Sequence, residues 1–93
     1  MIFEWDEAKC QANFKKQGIS FTEAATVLED RHALEIYDPD SNPNEERFVT
    51  IGCSANAKIL VVVNIIYERK NICRIISARK ATKKERGIYE KRI

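Results

Sequence analysis

The sequence has few of the residues from which local active-site motifs are built. It contains one histidine, three glycines and two prolines among 93 residues. Reading along the chain, we find no glycine-rich phosphate or dinucleotide loop, no nucleophile elbow and no cluster of metal ligands. A structural zinc site is hard to assemble when His32 is the only histidine. We therefore expect neither a metal nor a cofactor, and any activity must come from polar side chains that the fold brings together.

Paired cysteines are also lacking. Cys10, Cys53 and Cys73 are odd in number and widely spaced, so they form no disulfide framework and no Cys-x-x-Cys pair. We expect reduced thiols that are buried, as is typical of a cytoplasmic protein.

Long apolar segments are absent as well. The N-terminus is acidic and lacks the apolar region of a signal peptide. The longest apolar run, Ile59 to Val63 with its extension to Ile66, is far too short to span a bilayer. A chain of 93 residues with 44% hydrophobic residues fits one domain with a modest core. We expect a cytoplasmic protein with a single domain over residues 1–93 and no membrane partner.

The net charge of +2 conceals a strong asymmetry along the chain. Residues 1–68 carry six Lys and Arg against twelve Asp and Glu, whereas residues 69–93 carry ten against two. A polyanion would therefore meet the C-terminal quarter rather than the whole surface. A solvated basic helix is the alternative explanation of this charge.

Capping signals predict two N-terminal helices. Asp6 can cap a first helix over residues 7–17, which Gly18 ends. Ser20 and Glu23 have capping-box spacing and open a second helix over residues 22–29. We expect both helices to cover a sheet.

From residue 33 onward the apolar pattern is that of strands. The stretch 59–67 is apolar on both faces, which predicts a central strand. Short connections between consecutive strands make the sheet antiparallel. Thr82 and Glu85 repeat the capping-box spacing and open a final helix that ends at about Lys91. The predicted fold is α+β, with two N-terminal helices, a C-terminal helix and a four-stranded antiparallel sheet of strands 34–38, 46–54, 59–67 and 72–79.

The end of the last strand holds the densest group of polar side chains. In a regular strand Ser77 and Arg79 point to one face and Arg74 to the other, unless a bulge that the sequence does not reveal lies between them. Glu46 and Arg47 also project to opposite faces of their strand. For Arg47, an ion-paired arginine at a buried edge and a functional arginine are equal alternatives.

Three spaced blocks of residues resemble the BrnT family of toxins. The first runs from Phe3 to Lys9, with Asn13 and the stretch Gly18 to Ala24. The others are Glu46-Arg47 leading to Ile51-Gly52, and the stretch Ile75 to Arg86 with Tyr89. The resemblance covers nearly the whole chain in the right order.

This resemblance implies a RelE-like fold and a ribonuclease that blocks translation. It also implies neutralisation by a BrnA-type antitoxin with a ribbon-helix-helix domain, and binding of operator DNA only through the toxin–antitoxin complex. The catalytic residues implied are Glu46, Arg47, Arg74, Ser77 and Arg79. RNA contacts are expected from Lys80, Lys83, Lys84, Arg86 and Tyr89.

RNA cleavage without a metal needs a base for the 2′-hydroxyl, cations for the phosphorane and an acid for the leaving 5′-oxygen. Arginine suits the second role because its donors form a fixed fork. Ser77 is better placed to donate to a phosphate than to act as a nucleophile, because no histidine stands ready to activate it. His32 is expected in a solvated turn, and Trp5 in the core or at a sheet edge, with stacking on a base as the alternative.

Two positions depart from the family pattern. Gln17 stands where a histidine is usual, and Cys10 where an asparagine is usual. A neutral amide cannot transfer a proton near pH 7. If that histidine acts as an acid or base, the chain is instead a weak or inactive module that binds RNA or its antitoxin and acts as a co-repressor. If the histidine only packs or forms hydrogen bonds, Gln17 can replace it and activity is retained.

Overall fold

The computed structural model describes residues 1–93 as a five-stranded sheet with helices on both faces. None of its helices has the length and apolar character needed to cross a membrane. The elements in chain order are β1 (Ile2–Glu4), α1 (Glu7–Gln17), α2 (Phe21–Val27), β2 (Leu34–Tyr37), β3 (Glu46–Cys53), β4 (Ile59–Tyr67), a 3-10 turn (Glu68–Lys70), β5 (Ile72–Lys80) and α3 (Lys83–Glu90).

The strand order is β1-β5-β4-β3-β2, and the sheet is mixed. The α+β class is confirmed, but the prediction of four antiparallel strands is wrong because β1 adds a fifth strand parallel to β5. Ile2 lies opposite Ile72 and Glu4 opposite Arg74. A strand of three residues is too short to show an alternation of apolar and polar side chains. Its partner lies about 70 residues away in the chain, so no hairpin turn in the sequence indicates the pairing.

The predicted caps start all three helices. The side chain of Asp6 accepts from Lys9 N at 3.0 Å, and Gly18 ends α1 in the left-handed conformation with φ 73°. α2 spans 21–27 rather than 22–29. Ser20 accepts from Glu23 N, but the carboxylate of Glu23 accepts from the hydroxyl of Ser54 at 2.7 Å instead of closing a capping box. Glu23 thus ties α2 to the β3–β4 connection.

Residues directly opposite each other in the ladder point to the same face, which divides the sheet into two surfaces. On the α1/α2 face, Leu60, Val62, Ile75 and Ala78 pack against residues 19–27. On the α3 face, Ile51 and Val61 pack against Ala81 and Tyr89. β4 is buried on both faces and lies at the middle of the sheet, as predicted.

Asn13 joins α1 to the edge of β5 beyond the point where β1 ends. Its amide donates to the carbonyl of Ala78 at 3.0 Å and accepts from the N–H of Ala78 at 3.1 Å. A sixth strand would satisfy the same two backbone groups, so the side chain replaces a ladder partner.

Candidate functional site

A bulge in β5 determines which side chains share a face. Val63 lies opposite Ser77 and Asn64 opposite Ile75, so Ile76 has no partner in β4. One extra residue reverses the alternation of the strand from that point. Arg74 therefore lies on the same face as Ser77, and the prediction that they point to opposite faces is wrong.

The shared surface is the α3 face. Arg79 lies opposite Val61, and both Arg47 and Arg74 lie opposite Ile65, one on each side of β4. α3 covers only the end of this face near Val61. The remainder, with Arg47, Arg74 and Ser77, stays open, and we name it the arginine face.

Arg47 is exposed and forms no ion pair. Its side chain lines a shallow cleft of about 270 Å³ together with Asp38, Glu45 and Ile65. The alternative of a buried, ion-paired Arg47 is therefore wrong, and its guanidinium fork is free to meet an anion.

Arg74 is held by Glu4, its neighbour in β1. The guanidinium Nη1 lies 2.8 Å from Glu4 Oε2, and both side chains keep more than a third of their surface exposed. The hydrogen bond to Glu4 raises the pKa of Arg74 above its usual value, so the charge is permanent. Sequence reasoning missed Glu4 because its strand was missed.

Arg79 is paired more completely than Arg74. Two of its nitrogens donate to the two carboxylate oxygens of Glu85, at 2.8 and 2.9 Å. Glu85 also accepts from Thr82 N at 2.8 Å and closes the capping box of α3. The bonds from Arg79 and Thr82 lower the pKa of Glu85 to about 2. Arg79 thus anchors the start of α3, and its charge is offset.

Tyr67 is a polar group of the arginine face that sequence reasoning missed. It ends β4 opposite Ile72, and its hydroxyl donates to Glu45 Oε2 at 3.1 Å. Burial and the bond to Glu45 raise its pKa, while the charge of Arg74 acts in the opposite direction. Tyr67, Glu45 and Arg74 are therefore electrostatic neighbours. Because side chains alternate between the two faces of a strand, Tyr67 lies on the same face as Val63 and Ile65. This alternation is the sequence signal that could have identified Tyr67.

Three predicted site residues lie away from the arginine face. Glu46 is opposite Ile66 and Lys80 is opposite Leu60, which puts both on the α1/α2 face. Tyr89 is only 3% exposed. We therefore leave Glu46 out of the candidate site, and an RNA contact from Tyr89 would require α3 to leave the sheet.

Tyr89 and Asp30 fasten α3 to the rest of the fold. The Tyr89 hydroxyl donates to Asp30 Oδ2 at 2.5 Å, and Cys53 N donates to the same oxygen at 2.8 Å. Burial would raise the pKa of Asp30, but the bonds from Cys53, Tyr89 and His32 N lower it overall. Burial and Asp30 together raise the pKa of Tyr89 to about 12.

The expected burial of all three cysteines is wrong, because Cys73 is buried but Cys10 and Cys53 are only partly buried. His32 and Trp5 keep their expected surroundings. His32 is exposed in its turn, and Trp5 packs edge-on against Phe21 at 6.1 Å between ring centroids. Cys10 packs against the core of the α1/α2 face, and Gln17 is exposed at the end of α1. The exposed basic residues of α3 are Lys83, Lys84 and Arg86.

A model of a protein family described as "Ribonuclease toxin, BrnT, of type II toxin-antitoxin system" matches residues 5–85. The match includes Arg47, Tyr67, Arg74 and Ser77 but not Glu4. No curated protein matches the chain.

Proposed function

The chain belongs to the BrnT family of ribonuclease toxins of type II toxin–antitoxin systems, and from that premise we propose that it cleaves RNA on the arginine face without a metal ion. The observation that carries the proposal is the bulge at Ile76, which brings Arg74 to the face that Ser77 shares with Arg47. We further propose that cleavage inhibits translation and that a BrnA-type antitoxin neutralises it, with operator DNA bound only through the complex.

The scissile phosphate is proposed to sit over Ile65, between Arg47 and Arg74. Each guanidinium can donate two hydrogen bonds to phosphate oxygens, and their charges stabilise the phosphorane as its negative charge develops. Ser77 donates from the adjacent position of the same face. Arg47 contributes most, because no carboxylate of the chain lies within ion-pair distance of its guanidinium.

Proton transfer is proposed to involve Tyr67 and Glu45. The 2′-oxygen attacks phosphorus while its proton passes to the Tyr67 oxygen and the phenolic proton passes to the Glu45 carboxylate. The P–O5′ bond breaks, and the 5′-oxygen takes a proton from water. The products are a 2′,3′-cyclic phosphate and a 5′-hydroxyl end, and Glu45 returns its proton to solvent.

A second candidate is a module that binds RNA or its antitoxin and acts as a co-repressor without cleaving. The favouring observation is that the charges of Arg74 and Arg79 are already offset by Glu4 and Glu85. Gln17, which cannot transfer a proton near neutral pH, favours the same candidate.

Cleavage of a long single-stranded RNA in the presence of EDTA separates the two candidates. The wild type should release fragments with cyclic phosphate ends, and Arg47→Ala should slow cleavage by about 10²–10³-fold through loss of a transition-state donor. Arg31→Ala, an exposed arginine in the turn after α2, is the matched control and should cleave like the wild type. Intact RNA with the folded wild type would favour the binding module.

A further inference from the structure

The α1/α2 face has a groove of about 450 Å³ at the end of the sheet that α2 leaves uncovered. It lies on the opposite side of the sheet from the arginine face, since Phe48 is opposite Asn64 and Arg47 opposite Ile65. The walls of the groove are apolar and are formed by Met1, Phe3, Leu28, Phe48 and Ile66.

The polar groups on the floor of the groove are already satisfied. The amide of Asn64 donates to Thr50 Oγ1 at 3.0 Å, and the Cys73 thiol donates to Asn64 Oδ1 at 3.6 Å. No buried side-chain nitrogen or oxygen in the protein lacks a hydrogen-bond partner. On the floor of the groove a small polar ligand would find no open partner, whereas apolar side chains of a partner would find apolar walls.

The rim of the groove is acidic. Glu29, Glu35 and Glu68 are exposed, and no lysine, arginine or histidine lines the groove. Apolar surface continues past the rim, because Met1 is 61% exposed and Tyr37, beside Phe48, is 44% exposed. An apolar centre inside a polar, mainly acidic rim is the pattern of a protein docking site. The negative charge of the three glutamates favours a partner that carries lysine or arginine side chains.

We propose that this acidic groove binds a basic, amphipathic segment of the antitoxin. Apolar side chains of the segment enter the groove, and its lysines or arginines meet the three glutamates. The proposal rests on the antitoxin partner that the family implies and not on the position of the ribonuclease site. Because the two surfaces lie on opposite faces, antitoxin binding and RNA cleavage should respond to different substitutions.

The test measures the affinity of the full-length toxin for its cognate antitoxin by calorimetry at two salt concentrations. Glu35→Lys should weaken binding by about tenfold, and the double variant Glu29→Lys/Glu35→Lys should weaken it further, because attraction is replaced by repulsion. Glu90→Lys, an exposed charge reversal on α3, is the matched control and should bind like the wild type. Thermal unfolding checks that each variant is folded.

Unchanged affinity in the folded double variant would overturn the proposal. It would also be overturned if the toxin alone forms a dimer in sedimentation that Glu35→Lys dissolves, since a second copy would then occupy the groove. RNA cleavage by the double variant should match that of the wild type. If the wild type cleaves no RNA but the glutamate variants bind the antitoxin more weakly than the wild type does, the ribonuclease proposal is rejected and the groove proposal is supported.

Discussion

The hydroxyl of Tyr89 should stabilise the fold rather than bind RNA, and Tyr89→Phe isolates its contribution. The substitution keeps the buried ring and removes only the hydrogen bond to Asp30. A hydrogen bond to a charged group contributes about 1.5–3 kcal/mol to the free energy of unfolding. For a domain of this size, such a loss lowers the midpoint of thermal unfolding by at least about 6 °C.

The assay is urea unfolding followed by circular dichroism, with Tyr37→Phe as the matched control. Tyr37 is 44% exposed, so losing its hydroxyl should change the free energy of unfolding by less than about 0.5 kcal/mol. At a temperature where both variants are folded, each should bind RNA like the wild type.

The pH dependence of the Tyr89 contribution has a defined sign. The folded protein raises the pKa of Tyr89 from 10.0 to about 12, so folding favours the protonated hydroxyl. The advantage of the wild type over Tyr89→Phe is therefore complete below pH 10 and is lost as the pH rises through about 12. An equal free energy of unfolding for the two proteins at pH 7, or weaker RNA binding by folded Tyr89→Phe, would refute this reasoning.

Three further predictions concern the ion pair, the glycines and the proton-transfer group. Glu85→Gln should lower the free energy of unfolding by up to about 1 kcal/mol at pH 7, since the pair is partly exposed. That difference should vanish as the pH falls from 4.5 through about 2 in denaturant titrations, because the folded protein depresses the Glu85 pKa. Gly52→Ala should lower the free energy of unfolding by about 1–3 kcal/mol, because the new methyl group would meet three neighbouring atoms at 3.0–3.1 Å. Gly87→Ala lies inside α3 with open space around it, so it should raise the free energy of unfolding by about 0.5–1 kcal/mol in the same assay. Tyr67→Phe should slow RNA cleavage by at least about 10²-fold at a temperature where the variant remains folded, and a cleavage rate equal to that of Tyr37→Phe would remove Tyr67 from the proposed mechanism.

Much of the secondary structure was predictable because its signals are local. Asp6, Ser20 and Thr82 each accept a hydrogen bond from the backbone three residues later, as their spacing predicts. β4 was predicted at its observed bounds, Ile59–Tyr67, because both of its faces are apolar. These features depend on neighbours in the chain.

The arrangement of the candidate site was not predictable, because it depends on contacts between distant residues. Nothing in the stretch from Arg74 to Arg79 shows that Ile76 is the residue without a partner. β1 needs β5 to form, so Glu4 could not be assigned to Arg74. The family resemblance implies an RNA contact from Tyr89, but the burial of Tyr89 against Asp30 depends on how α3 docks.

The most direct test of the arginine face compares single-turnover cleavage rates at saturating protein for substitutions on the two faces of β5. Arg74→Ala and Ser77→Ala should each slow cleavage by at least about tenfold, because both side chains lie on the proposed catalytic face. Lys80→Ala, on the opposite face of the same strand, should stay within about twofold of the wild type. Wild-type rates for Arg74→Ala and Ser77→Ala, or a loss confined to Lys80→Ala, would contradict the account.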